Sequence, residues 1–438
     1  MRITSLMPLL GLITVSAQQP ASAPQLRGTQ WRGEAKVAAD AANGNDDRVR
    51  VEAFSKLHAD FPENARALRN LAWAEVRAGD NASALRDLKT YAAMGVALNQ
   101  DGPIYKAMAA AGLIEKAPQL SRNLAPVKTG AQVFVLPDPD LLTEDIAFDP
   151  HAGRFLLTSV RKKKIVSCDS KGGCRDAVVS SPENELDGML AIHVDAARKV
   201  LWATTSGMPM QEGLRPERKG HSALMKFGLD NFRLLKRYEP EDGKDHALGD
   251  MTVSRNGDAY ISDGASGDVY VVRHDRDRLE ALVPPGVFVS PQTPALNDSE
   301  SILYVADYDE GIAAIDLATG NIQWLKASAP SALDGIDGLY WTPEGLIAVQ
   351  NGTSPERIVR FQLRSPMVVE RFEPMEVNWP GLGEPTHGVI AGGFFYFIVN
   401  SGWDRVGEDE TSFRPGHAAE VWKIALKAPH ARRSQPAP

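Results

Sequence analysis

Cysteine is nearly absent: Cys168 and Cys174 are the only two in 438 residues. That excludes a disulfide-dense scaffold and a cysteine-rich metal cluster. Lysine and arginine are outnumbered by aspartate and glutamate, 48 to 56, for a net charge of −8. Nothing here provides the basic face that nucleic acid demands. Beyond the N-terminus no apolar run is long enough to span a bilayer. There is also no phosphate loop, no dinucleotide fingerprint and no nucleophile elbow around Ser206.

The N-terminus "MRITSLMPLLGLITVSA" has an early Arg2, a short apolar core and small residues at its end. It reads as a signal peptide over residues 1–17, with cleavage after Ala17 or alternatively Ala23, and implies a periplasmic or secreted protein. In that compartment "CDSKGGC" places Cys168 and Cys174 on the two arms of a hairpin, as a disulfide. A zinc pair lacks companion ligands nearby.

From residue 33 to 116 the texture is rich in Ala, Leu and Arg with helical spacing. In "ALRNLAWAEVRAGDNASALRDLKTYAAMG", Leu68, Leu71, Ala72 and Val76 form one stripe, and "AGDN" separates two helices. Phe54 and Leu57 lie 34 residues before Leu88 and Tyr91, and this module resembles tetratricopeptide repeats. It is expected either to cap the next domain or to hold a protein partner.

From 131 to 426 the period becomes two. Six segments share one shape, an apolar strand, a turn and a second apolar strand. They read "EDIAFDPHAGRFLLTS", "LAIHVDAARKVLWATT", "GDMTVSRNGDAYISD", "QTPALNDSESILYVAD", "DGLYWTPEGLIAVQN" and "HGVIAGGFFYFIVN". They begin at Glu144, Leu190, Gly249, Gln292, Asp337 and His387, spaced by 46, 59, 43, 45 and 50 residues, with an insertion at 207–220 explaining the long interval. Units of this length are blades, so the expected fold is mainly β, a six-bladed β-propeller behind a small helical module. "AQVFVLP" at 131–137 is expected to supply the outer strand that closes blade six.

These motifs, with "IDGLYWTPEGLIAVQNG" and "EPTHGVIAGGFFYFIVNSGWD", resemble the propellers grouped with gluconolactonase, senescence marker protein (regucalcin) and the strictosidine synthase-like proteins, in an exported bacterial subgroup. The resemblance implies a divalent metal, calcium or zinc, held at strand starts by Glu, two Asn and Asp. Glu144 and Asp337 match; Gly249 and Gln292 stand where the asparagines belong.

By repeat register His387 falls between Asp337 and Glu144 on one arc of the channel mouth, with Gln292 beside Asp337. The candidate metal ligands are therefore Glu144, Asp337, His387 and Gln292, with His387 and Asp337 catalytic. Leu190 and Gly249 join Gln292 as candidate substrate contacts on an apolar, open opposite arc, and Asp250 is expected to point away. Such a set suits metal-assisted lactone or ester hydrolysis of a small molecule. The alternative is a non-catalytic scaffold that binds a ligand or protein.

Overall fold

The structure, a computed structural model, describes residues 26–426. The expected signal peptide lies outside them. Six sheets stand around one axis, five of four strands and one of six. The inner strands of blades one to six are Ile146–Asp149, Gly188–Asp195, Leu248–Val253, Pro291–Leu296, Gly338–Thr342 and Gly388–Ala391. Each turns back through a short hairpin into the second strand of its blade. The axis therefore has two ends, a strand-start face and a hairpin face.

The expected closure is present. Ala131–Val135 pairs antiparallel with Glu420–Ala425, so the first propeller strand completes the last blade. Phe134 anchors it at 5% exposure, with its ring 5.6 Å from Phe155 of blade one. The six-stranded sheet is blade five, widened by Val127–Lys128 and Lys326–Ala327 on its outer strand Val368–Val377. Cys168 and Cys174 pair across adjacent strands and form the expected disulfide.

The helices are α1 (Arg27–Asn43), α2 (Asp47–Asp60), α3 (Ala65–Arg77), α4 (Asn81–Ala93), α5 (Pro103–Ala110) and α6 (Gln119–Asn123). Their ends are set by sequence. Asp46, Asn64 and Asp80 accept backbone N–H groups of the first turns of α2, α3 and α4, and Pro103 opens α5. Leu68, Leu71 and Ala72 are buried with Phe54, Leu57, Leu88 and Tyr91 in one helical core, and Ala332 of the propeller joins it.

This helical layer lies on the strand-start face of blades four and five. Arg66 reaches Asp309 at 2.8 Å and Asp334 at 3.3 Å. Buried Arg357 donates to the Met94 and Gly95 carbonyls at 3.3 and 2.6 Å and to Gln350 at 2.8 Å. Gly95 has φ +80° and no room: a Cβ would stand 2.4 Å from the Phe372 ring. Only glycine lets the chain come this close.

Ring closure predicts that Phe134→Ala lowers stability by about 3 kcal/mol, since it opens a cavity between blades six and one. Urea denaturation measures this, and a loss below about 1 kcal/mol would mean the closing strand contributes little.

Candidate functional site

His387 begins blade six and is 1% exposed. Its imidazole stands at the axis among carboxylates from three other blades. Nε2 lies 2.5 Å from an Asp250 oxygen, and Nδ1 lies 3.2 Å from the Glu144 carbonyl and 3.9 Å from the Glu144 carboxylate. The Asp250 contact is close but off the ring N–H axis, so it is an ion contact and Nε2 has no aligned hydrogen bond. One oxygen each of Glu144 and Asp337 and one nitrogen of His387 lie within 4.8 Å of one another.

Each carboxylate is held by a different donor. Trp403 donates its indole N–H to Glu144, and Asn351 donates to Asp337 at 2.7 Å. The Asn351 carbonyl accepts the Tyr308 hydroxyl at 3.1 Å. Asp145 accepts the Ile146 and Ile192 backbone N–H groups at 2.7 and 2.9 Å, bridging blades one and two. No lysine or arginine pairs with Glu144, Asp145, Asp250 or Asp337 among the described residues.

Four buried carboxyl groups thus face one imidazole, and proton affinities shift accordingly. Burial raises Asp145 to about 7 and Asp337 to about 6, in both cases against the pull of His387. Burial and the Asp337 charge raise Glu144 well above the carboxylate range. For His387 burial opposes charge, but Asp250 and Asp337 outweigh it and raise the pKa well above the usual imidazole value. Burial likewise raises Tyr340, whose hydroxyl accepts the Gly388 N–H at 2.7 Å.

The arc of Asp337, His387 and Glu144 forms as expected; the rest of the ring differs. Gln292 turns back on its own loop, with its amide donating to Ser290 Oγ at 3.0 Å and to the Ser290 carbonyl at 3.3 Å. Leu190 does not face an open arc. It is buried with Leu142, Val160 and Met210, and Met208, Trp403, Val406 and Phe413 pack against them. Two insertions, 207–220 and the loop around Trp403, make this plug beside Glu144. Arg218 of the first is held by Asp187 at 2.6 Å, so it is not free for an acidic ligand.

Gly249 is the largest correction. The register shifts between Leu248 and Asp250, so two residues oppose one and the alternation inverts. Asp250, expected to point away, takes the inward place at 2% exposure. Asn351, immediately after the second strand of blade five, holds Asp337 rather than its neighbouring backbone. By contrast Asp263 and Asp307 do accept neighbouring backbone N–H groups.

A cavity of about 630 Å³ runs along the axis, floored by Asp145, Asp250, His387 and Tyr340 and opening among the hairpin turns. Glu144 and Asp337 do not line it.

No family model matches the chain, and no curated protein matches it. Solved structures do. A gluconolactonase from Xanthomonas campestris is 15% identical, with a TM-score of 0.45 over 69% of this chain and 98% of its own. Virginiamycin B lyase from Staphylococcus aureus is 13% identical, with a TM-score of 0.43 over 67% and 98%. The PQQ-bound aldose sugar dehydrogenase from Streptomyces coelicolor is 14% identical, with a TM-score of 0.46 over 69% and 100%. At these values the likeness is to the propeller architecture and says nothing of chemistry.

The raised carboxyl groups carry a signed pH dependence. A carboxyl whose folded pKa lies above its unfolded value stabilises fully below that unfolded value, and the contribution is lost as pH rises through the folded one. For Asp145 the window runs from about 4 to about 7. In chelator, Asp145→Asn should therefore gain melting temperature relative to the native protein as pH rises from 4 to 8, by roughly 3 °C. A difference that stays flat with pH would mean that Asp145 titrates as an ordinary carboxylate.

Proposed function

We propose that the protein is a hydrolase-like propeller acting on an ester or lactone carbonyl at the His387 centre, with a divalent cation held by Glu144, Asp337 and His387. The observation that carries this reading is the meeting of those three ligand atoms within 4.8 Å in a buried place. The donors suit a cation, because carboxyl groups with no lysine or arginine partner need either protons or a metal to balance them. Cation binding would take from Nδ1 the proton it directs at the Glu144 carbonyl and leave the ring neutral, with its remaining proton on Nε2 beside Asp250. The mixed nitrogen and oxygen set favours a transition metal such as zinc over calcium. Bound there, the ion would polarise a carbonyl and acidify water.

The chain's own residues supply the remaining roles. Asp145, raised to about 7 by burial and present at the cavity floor, exchanges its proton near neutral pH and is the general-base candidate. Tyr340 stays protonated and offers a hydrogen-bond donor at the same floor. Asn351 and Trp403 orient the two ligand carboxylates. Gln292, Leu190 and Gly249 have no part in this reading.

Export is part of the proposal and is supported by the apolar N-terminal segment and the Cys168–Cys174 disulfide. No helix among the described residues is long and apolar enough to cross a membrane. The rival reading is a non-catalytic scaffold whose helical layer or rim holds a protein or ligand.

Elemental analysis of protein purified without chelator separates the two. Near-stoichiometric metal in the native protein, lost in Asp337→Asn together with turnover of activated esters and lactones, is the expected result. A native protein that stays empty after incubation with zinc, manganese and calcium would overturn the metallohydrolase reading and leave the scaffold.

A further inference from the structure

The two ends of the axis are built differently. On the strand-start face, the plug formed by Leu142, Val160, Leu190 and Met210 lies beside Glu144, whose side chain is 12% exposed. The helical layer covers blades four and five of the same face through Arg66 and Arg357. The cavity opens at the other end, where its rim residues Arg255, Asp298 and Glu300 follow the inner strands of blades three and four.

The cavity walls are more apolar than polar, with Thr252, Thr293 and Asn297 among the apolar side chains. Val194, Met251, Leu296, Trp341, Val389 and Ile390 line it, and Ile390 is 40% exposed although it belongs to an inner strand. Charges at the rim are already engaged. Arg255 pairs with Glu300 at 3.1 Å and donates to the Asp298 carbonyl at 2.7 Å, while the Trp341 indole donates to the Asp298 carboxylate at 2.9 Å. His193 in the wall is neutral at pH 7, since burial pushes it down to about 4. The volume, about 630 Å³, is that of an ordinary small-molecule site.

We propose that the ligand reaches the His387 centre from the hairpin face, along this channel, and that it is an elongated, uncharged and largely apolar molecule. A polyhydroxylated sugar would set most of its hydroxyls against these apolar side chains and lose hydration there. An alkyl or aryl chain would bury its length there while its polar end met Asp145, Asp250, His387 and Tyr340 at the floor. The substrate class rests on the hydrolase reading; the route and the apolar preference do not.

The test uses the full chain and N-phenyl-1-naphthylamine, an uncharged apolar fluorophore. Native protein should bind it saturably at about one per chain. The double variant Thr252→Trp/Ile390→Trp, which fills opposite walls, should weaken binding by about tenfold or more. Met210→Ala, which loosens the plug on the far face, should change it by less than about twofold. Because Ile390 is exposed, Ile390→Glu provides a second variant that leaves the core intact, and it too should weaken the probe. Absence of saturable binding, binding indifferent to the wall variants, or stronger dependence on Met210 would each overturn the proposal.

A nitrophenyl ester series from acetate to octanoate then separates the channel from the chemistry. Turnover that rises with chain length and falls in the double variant supports both. Probe binding in the channel with no turnover of any ester overturns the hydrolase reading alone. Turnover indifferent to the wall variants overturns the channel alone.

Discussion

One imidazole holds the axis of this molecule together. His387 comes from blade six, while the carboxylates around it come from blades one, three and five. Four such groups cannot share a buried space as anions without a compensating positive charge. The protonated ring supplies part of that charge, and the raised proton affinities of Glu144, Asp145 and Asp337 show how much is left over. Because the groups belong to different blades, their separation depends on closure of the ring. Pairing of Ala131–Val135 with Glu420–Ala425 therefore sets the electrostatics of the centre as well as the stability of blade six.

The helical layer is tied into the same arrangement. Arg66 on α3 donates to the Tyr308 carbonyl, and its guanidinium stands 5.4 Å from the Tyr308 ring centroid. The Tyr308 hydroxyl donates to Asn351, and Asn351 donates to Asp337. The contacts thus run unbroken from a helix to a candidate ligand. The helices settle the position of Tyr308, and through it the orientation of the amide that holds Asp337.

The architecture was legible in the sequence because it repeats. Six copies of a strand–turn–strand pattern average out local ambiguity, and even the closing strand at 131–135 could be placed. Glu144, Asp337 and His387 were legible for the same reason, since their blades keep a plain alternation from strand start to hairpin. Blades two, three and four do not. Each has a register shift, between Met189 and Ile192, Leu248 and Asp250, and Pro291 and Pro294. A bulge inserts one residue and inverts which side chains face the axis. Every misplaced residue of the ring, Leu190, Gly249, Asp250 and Gln292, belongs to one of these blades. Gly249 was the available signal, since an isolated glycine inside a strand pattern marks such a bulge. Trp403 and Asn351 had no comparable signal, because each reaches the centre from a loop whose path no period describes.

The bulges, the insertions and the helices act on one quantity, the access of water to the carboxylates. A ring with an open strand-start mouth would leave Glu144 and Asp337 hydrated, with ordinary proton affinities and little need of a cation. Here the helical layer and the plug around Leu190 remove that water, and the bulge at Gly249 adds Asp250 to the crowd. Both changes raise the cost of the negative charge and so strengthen the demand for a compensating ion. They also narrow the end at which an open ring would receive its ligand. The largely apolar cavity on the hairpin face reaches His387 from the other end. Burying the ligands and relocating the mouth are two consequences of the same packing.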